Sequence, residues 1–175
     1  MHRLTYTATA TLAAIAYLVS GATVVGHHIP DHHWGARGAI VDAAGAVAFL
    51  LTAITLAGLG PCLAAGRAAA IGTHLAQVGL LAMTVESFAS LAHGGNTLDG
   101  LFFGGLLLTL AGLVALAVAG VRAGELRWLA PLPALALLIG IAGGDHGGFL
   151  GTGLAWLVLA FAVRLPRPVA EPLPV

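Results

Sequence analysis

Histidine and aspartate side chains that could bind a metal ion concentrate in three short polar segments of this sequence. The segments are residues 26–33, 93–99 and 143–148, and together they hold six of the eight histidines. Neutral imidazole and carboxylate groups suit zinc, nickel, copper and iron. A metal site needs three or four such ligands at one place. The sequence therefore permits a metal site on condition that the three segments converge.

Glu86 is an acid placed inside an apolar stretch. It lies about seven residues, or roughly 10 Å of helix, before the end of that stretch. An ionisable group at this depth should face the protein interior and have a partner. Ser90 and His93 follow at helical spacing, which predicts one polar face. Asp42 reaches the same depth early in the preceding stretch, or it belongs to a first helical turn, where the helix dipole favours a carboxylate.

These residues define a candidate metal site, for which a divalent transition metal is the expected cofactor. The candidate ligands are Asp42, Glu86, His93, His146, Asp145, His27 and His28. The alternative is that these polar side chains merely close short turns at an interface. A pH-sensing role is also open, because an unperturbed histidine titrates near pH 6.5. No HExxH or comparable fixed-spacing motif occurs, so no catalytic residue is assigned.

A second polar position, His74 with Gln77, lies at the other end of the same apolar stretch as Glu86. Twelve residues separate His74 from Glu86, which is about 18 Å along a helix, so the two side chains cannot touch. We expect a buried His74 imidazole to form a hydrogen bond between helices. A haem held by two histidines is conceivable, but no second histidine is expected at this depth.

The composition indicates a membrane protein. Of the 175 residues, 59% are hydrophobic and 8% are charged, whereas soluble domains carry about 25% charged residues. The formal net charge of zero argues against a nucleic-acid partner. The single cysteine, Cys62, excludes an internal disulfide framework and a Cys-rich metal site.

Six hydrophobic stretches predict an all-α polytopic membrane protein, a bundle of six transmembrane helices with both termini cytoplasmic. The helices are expected at about 4–25, 36–59, 68–91, 101–121, 126–143 and 148–163, within one domain spanning 1–165. A Pro-rich cytoplasmic tail, 166–175, follows. The first stretch has an alternative interpretation as a cleaved signal peptide, since Ser20-Gly21-Ala22 offers small residues for cleavage.

Local signals refine three of these helices. Gly60-Pro61 predicts the end of the second. Pro131 and Pro133 predict that the first turn of the fifth is kinked or displaced toward Pro131. The fourth carries small residues at helical spacing, which lets helices approach closely in lipid. These residues are Gly104, Gly105, Ala111, Gly112, Ala115, Ala119 and Gly120.

The arginines set the expected orientation. If six helices alternate, six arginines fall on one side and Arg37 alone falls on the other. The six are Arg3, Arg67, Arg122, Arg127, Arg164 and Arg167. Arginine is enriched in short cytoplasmic loops, so this side is predicted to be inside and the His/Asp segments outside.

Three classes of function are compatible with these features. The first is a non-enzymatic membrane protein, such as a small permease, whose outer His/Asp/Glu cluster binds a cation or senses pH. The second is a regulatory or structural membrane partner with no small ligand. The third, an intramembrane enzyme or haem protein, lacks a motif. The expected partners are the lipid bilayer and a second membrane protein or copy of the chain. The absence of lysine and the abundance of alanine, glycine and leucine suggest a GC-rich bacterial genome, hence a bacterial cytoplasmic membrane.

Overall fold

The computed structural model describes residues 2–26, 35–63, 66–94, 98–123, 129–143 and 146–162. Within these residues the chain forms six helices and no strand. The helices are α1 (His2–Val24), α2 (Ala36–Leu63), α3 (Arg67–His93), α4 (Asp99–Ala123), α5 (Leu132–Ala142) and α6 (Gly148–Ala162). The predicted all-α class is therefore confirmed for the described chain.

Four of the helices are long and apolar enough to cross a membrane by length and composition. They are α1 to α4, whose candidate spans are Tyr6–Val24, Ala36–Leu63, Arg67–His93 and Asp99–Arg122. The other two are shorter, with 11 residues in α5 and 15 in α6. At 1.5 Å per residue these reach about 16 Å and 22 Å, less than the roughly 30 Å of a hydrocarbon core. The six-span topology therefore stays a prediction.

Prolines lie at two helix ends, and the prediction was wrong at one of them. The second helix was expected to end at Leu59, but α2 continues through Pro61 to Leu63. Leu63 is fully buried and its carbonyl lies against Gly120 of α4, so tertiary packing holds the last turn despite the proline. The fifth helix was expected near residue 126 or displaced toward Pro131, and the displaced start is confirmed, since α5 begins at Leu132, directly after Pro131. Proline is well tolerated at the start of a helix, because the backbone N–H that it lacks would have no partner within the helix there.

The six helices form a closed ring in chain order. Each helix packs against the one before and the one after it, α6 packs against α1, and α2 also touches α4. Neighbours run antiparallel: Gly21 of α1 lies against Leu150 of α6, and Tyr6 and Leu159 line one small cavity. Because the number of helices is even, the last helix also runs antiparallel to the first where the two meet.

The α3 and α4 backbones touch through paired glycines. Gly72 lies opposite Gly112, and Gly79 lies opposite Gly105; a Cβ on Gly72 would come within 2.7 Å of the Gly112 carbonyl oxygen. Both pairs are spaced by seven residues, so they repeat on one helix face. Gly105, Gly112 and Gly120 thus have the packing role expected of the small residues in α4, whereas Gly104 faces open space.

Buried hydroxyl and aromatic groups tie the other helices together. Thr152 Oγ1 of α6 donates to the Ala136 carbonyl of α5 at 2.8 Å, and Thr55 Oγ1 of α2 donates to Thr9 Oγ1 of α1 at 2.9 Å. An aromatic cluster lies at the centre of the ring, with one ring each from α1, α2, α4 and α6. Its members are Tyr17, Phe49, Phe102 and Phe149.

Candidate functional site

A cavity of about 240 Å³ lies between α2, α3, α4 and α6, and three rings of the aromatic cluster form part of its wall. We call it the carboxylate cavity. Three acidic and four phenylalanine side chains line it, with Val41, Gly45 and Ser87, and no basic side chain among the described residues does so. The acids are Asp42, Glu86 and Asp99, and the rings are Phe49, Phe102, Phe103 and Phe149.

Asp42 is the most unusual polar group in this cavity. Its side chain is 8% exposed, and its Oδ2 atom is buried with no hydrogen-bond partner in the described residues. A buried polar oxygen without a partner costs free energy, and a charged one costs more. Asp42 therefore brings an unsatisfied acceptor into the wall of the cavity.

Glu86 is equally buried, at 5% exposure, but its carboxylate has a partner. The Ser90 hydroxyl donates to Glu86 Oε1 at 2.6 Å, so Glu86 has a partner, as predicted, and that partner lies on the predicted polar face. This hydrogen bond fixes the Glu86 side chain on the cavity side of α3.

Antiparallel packing brings the two buried acids to one depth. Asp42 lies six residues after the start of α2 and Glu86 lies seven residues before the end of α3, each about 10 Å from a helix end. The two side chains line the same cavity. Since both in charged form would repel each other in an apolar wall, a proton or another cation would relieve the pair.

Asp99 and Phe103 form the rim of the cavity. Asp99 is exposed and is the first residue of α4, where the helix dipole favours a carboxylate. Phe103 is 61% exposed, on the surface that a spanning helix presents to lipid. The rim thus joins the buried pair to the surroundings of the bundle.

The structure brings together two of the seven candidate metal ligands, Asp42 and Glu86. His93 and His146 are exposed and do not line the cavity. His27, His28 and Asp145 lie outside the described residues. Among the described residues there is no group of three or more His, Cys, Asp or Glu side chains that could hold a metal ion.

His74 and Gln77 lie at the opposite end of α3, beside a larger groove of about 420 Å³ between α2 and α3. Gln77 Nε2 donates to the Ala53 carbonyl of α2 at 3.0 Å, and His74 Nδ1 lies 3.2 Å from Gln77 Oε1. His74 is exposed, so the expected buried imidazole was wrong and Gln77 forms the bond between helices instead. This groove is lined by small and apolar side chains and has no acid.

The sequence interpretation missed the four phenylalanines of the carboxylate cavity. Phe49 follows Asp42 by seven residues, and Phe102 and Phe103 follow Asp99 by three and four, so each lies on the helix face of an acid. That spacing was a usable signal. Phe149 has no acid at such a spacing within α6, and the tertiary fold alone brings it to the cavity.

Comparison with protein-family models, with curated proteins and with solved structures gives no match.

Proposed function

We propose that this chain is a non-enzymatic, multi-pass protein of a bacterial cytoplasmic membrane, and that its carboxylate cavity binds a cation, as in a small permease. The observation that carries the proposal is the buried Asp42, whose Oδ2 has no partner in the described residues and whose side chain lines a cavity with Glu86. Intramembrane acids of this kind usually belong to ion or proton pathways.

The proposed topology has six crossings with both termini inside. It is supported by the four long apolar helices and by the position of Arg67 and Arg122 at the end of the bundle opposite Asp42 and Glu86. Arginine-rich loops favour the cytoplasmic side, which makes the carboxylate cavity accessible from the outer half of the membrane.

Titration calorimetry on the purified protein in detergent tests the binding. The panel contains sodium, calcium, zinc, nickel, cobalt, copper and ethylammonium ions, with proton uptake measured in parallel. We expect at least one cation or the proton to bind to the wild type, and Asp42→Asn combined with Glu86→Gln to abolish that binding. A ligand at about 100 times its Kd should also stabilise the wild type by about 2.7 kcal/mol.

His74→Gln is the matched control, since it changes a polar side chain of the same helix far from the cavity. It should bind as the wild type does. If no cation and no proton binds in a manner that depends on Asp42 or Glu86, the proposal is wrong. The polar residues would then serve helix packing alone, as in the regulatory or structural alternative.

A further inference from the structure

The lining of the carboxylate cavity indicates which class of cation it accepts, and this inference rests on the proposed function. Metal ions in proteins are held by several oxygen, nitrogen or sulfur ligands that replace their water shell. In the described part of the chain no three ligating side chains are grouped closely enough for this. Most of the remaining wall is carbon, above all the four phenylalanine rings.

Phenylalanine rings suit an organic cation. A ligand ammonium group near an aromatic ring is attracted by the quadrupole of the ring, and the attraction grows when the site is desolvated. Phe49 is 2% exposed and packs against the rings of Tyr17, Phe102 and Phe149. The deep part of the aromatic wall is therefore fixed before any ligand arrives, which lowers the entropic cost of binding.

The unpartnered oxygen of Asp42 narrows the choice among ammonium ions. Its side chain lines the cavity and is more than nine-tenths buried, and Oδ2 lacks a hydrogen-bond donor in the described residues. A primary ammonium group has three N–H donors, whereas a quaternary one has none. The volume of about 240 Å³ is smaller than the roughly 300–1,000 Å³ of typical ligand pockets, so the attached group must be small.

We infer that the carboxylate cavity binds the primary ammonium group of a small alkylamine. Asp42 accepts an N–H hydrogen bond from the ammonium group, and the carboxylates of Asp42 and Glu86 balance its positive charge. The carbons next to the ammonium group are surrounded by the phenylalanine rings of Phe49, Phe102, Phe103 and Phe149. The same chemistry has two sources, a free amine or the ethanolamine head group of a phospholipid. The exposed rim residues Asp99 and Phe103 are accessible to both.

Competition calorimetry at constant ionic strength distinguishes the ammonium ion from other cations. We expect ethylammonium to bind at least tenfold more tightly than sodium or tetramethylammonium, and Asp42→Asn to weaken ethylammonium binding by tenfold or more. Equal affinity for ethylammonium and sodium would overturn the inference while leaving the proposed cation site intact. Absence of all cation and proton binding would defeat both.

Aromatic variants test the wall. Phe49→Leu should weaken ethylammonium binding about tenfold and Phe103→Leu, at the exposed rim, about threefold. Neither should change proton uptake by the acids. Phe88→Leu is the matched control, because Phe88 lies on α3 but does not line the cavity. If Phe49→Leu fails to fold, Phe103→Leu still decides: unchanged ethylammonium affinity in that variant contradicts the inference.

Measurements in lipid nanodiscs distinguish a free amine from a phospholipid head group as the source of the ammonium group. Discs of phosphatidylethanolamine and of phosphatidylglycerol are compared with the same ethylammonium titration. If the head group occupies the cavity, ethylammonium binds more weakly in phosphatidylethanolamine, and Asp42→Asn removes the difference. Equal affinity in the two lipids identifies a free amine as the ligand, and both results support an ammonium site.

Discussion

Asp42 and Glu86 line one cavity at the same depth, yet their carboxylates differ in their hydrogen-bond partners. Glu86 accepts a hydrogen bond from Ser90, while Asp42 Oδ2 has no partner in the described residues. A protein under selection for stability alone would replace such a group, and sites that bind ligands often retain this kind of cost. Two predictions follow from this difference.

Asp42→Asn should stabilise the protein in the absence of a ligand. The substitution replaces a buried carboxylate that shares the cavity with Glu86 by a neutral amide of the same shape, so we expect the free energy of unfolding to rise by about 1 to 3 kcal/mol. Unfolding in mixed detergent micelles, followed by circular dichroism at neutral pH, measures the change. A less stable Asp42→Asn variant would mean that the carboxylate has a stabilising partner in the apo protein.

Ser90→Ala should destabilise the protein by about 1 to 2 kcal/mol, because it removes the donor to a buried Glu86. The same substitution in a Glu86→Gln background is the control, and there it should cost less, because no carboxylate loses its donor. The same unfolding measurement applies. Equal stability of Ser90→Ala and the wild type would show that water or another group satisfies Glu86.

At this scale the sequence predicted the acids better than the aromatic residues. An acid in an apolar stretch is conspicuous, and the spacing of Glu86 and Ser90 places them on one helix face, where the structure joins them by a hydrogen bond. A phenylalanine in such a stretch is unremarkable, because aromatic side chains belong in any membrane helix. The site for Phe149 depends on which helices become neighbours, and no local pattern contains that information.

Among the elements, α3 and α4 are held at backbone contact by their paired glycines, and two adjacent positions provide a test. Gly105→Ala should lower stability by about 1 to 3 kcal/mol, because a Cβ there would come within 2.7 Å of the Gly79 carbonyl oxygen. Gly104→Ala is the matched control: its Cβ would meet nothing within 4 Å. Since alanine favours a helix over glycine, Gly104→Ala should leave stability unchanged or raise it by up to about 1 kcal/mol.

Unfolding of the two variants under identical conditions gives the difference between them. Equal effects at residues 104 and 105 would contradict the close approach of α3 and α4. The sequence predicted this use of small residues in the fourth helix, but not which face they occupy. It also placed the end of α2 too early, because the burial of Leu63 outweighs the local effect of Pro61.

For the whole molecule, cysteine labelling tests the predicted orientation in the membrane. Asn96→Cys in a Cys62→Ser background should react with a membrane-impermeant maleimide added to intact cells, because the segment between α3 and α4 is predicted to face outside. Native Cys62, near the arginine-rich side, should react only after the cells are opened. Labelling of Cys62 alone in intact cells would reverse the orientation.

The number and type of helices were predictable from hydrophobicity, since apolar runs of about 20 residues suit a bilayer. Their arrangement was not. Hydropathy contains no information on which helices touch, and the contact of α1 with α6 joins residues that are far apart in the chain. The bounds of α6 were predicted to within about one residue, whereas α5 is shorter than its apolar stretch because it begins only after Pro131.

Because the ring of helices is closed, the same packing could be formed by a chain that begins at a different helix. The start of α1 and the end of α6 are neighbours, as Tyr6 and Leu159 show by lining one cavity. A circularly permuted chain could join residue 162 to residue 2 through a linker and open between α3 and α4. Every helix contact would survive, and Glu86 and Asp99 would then come to the carboxylate cavity from opposite ends of the new polypeptide.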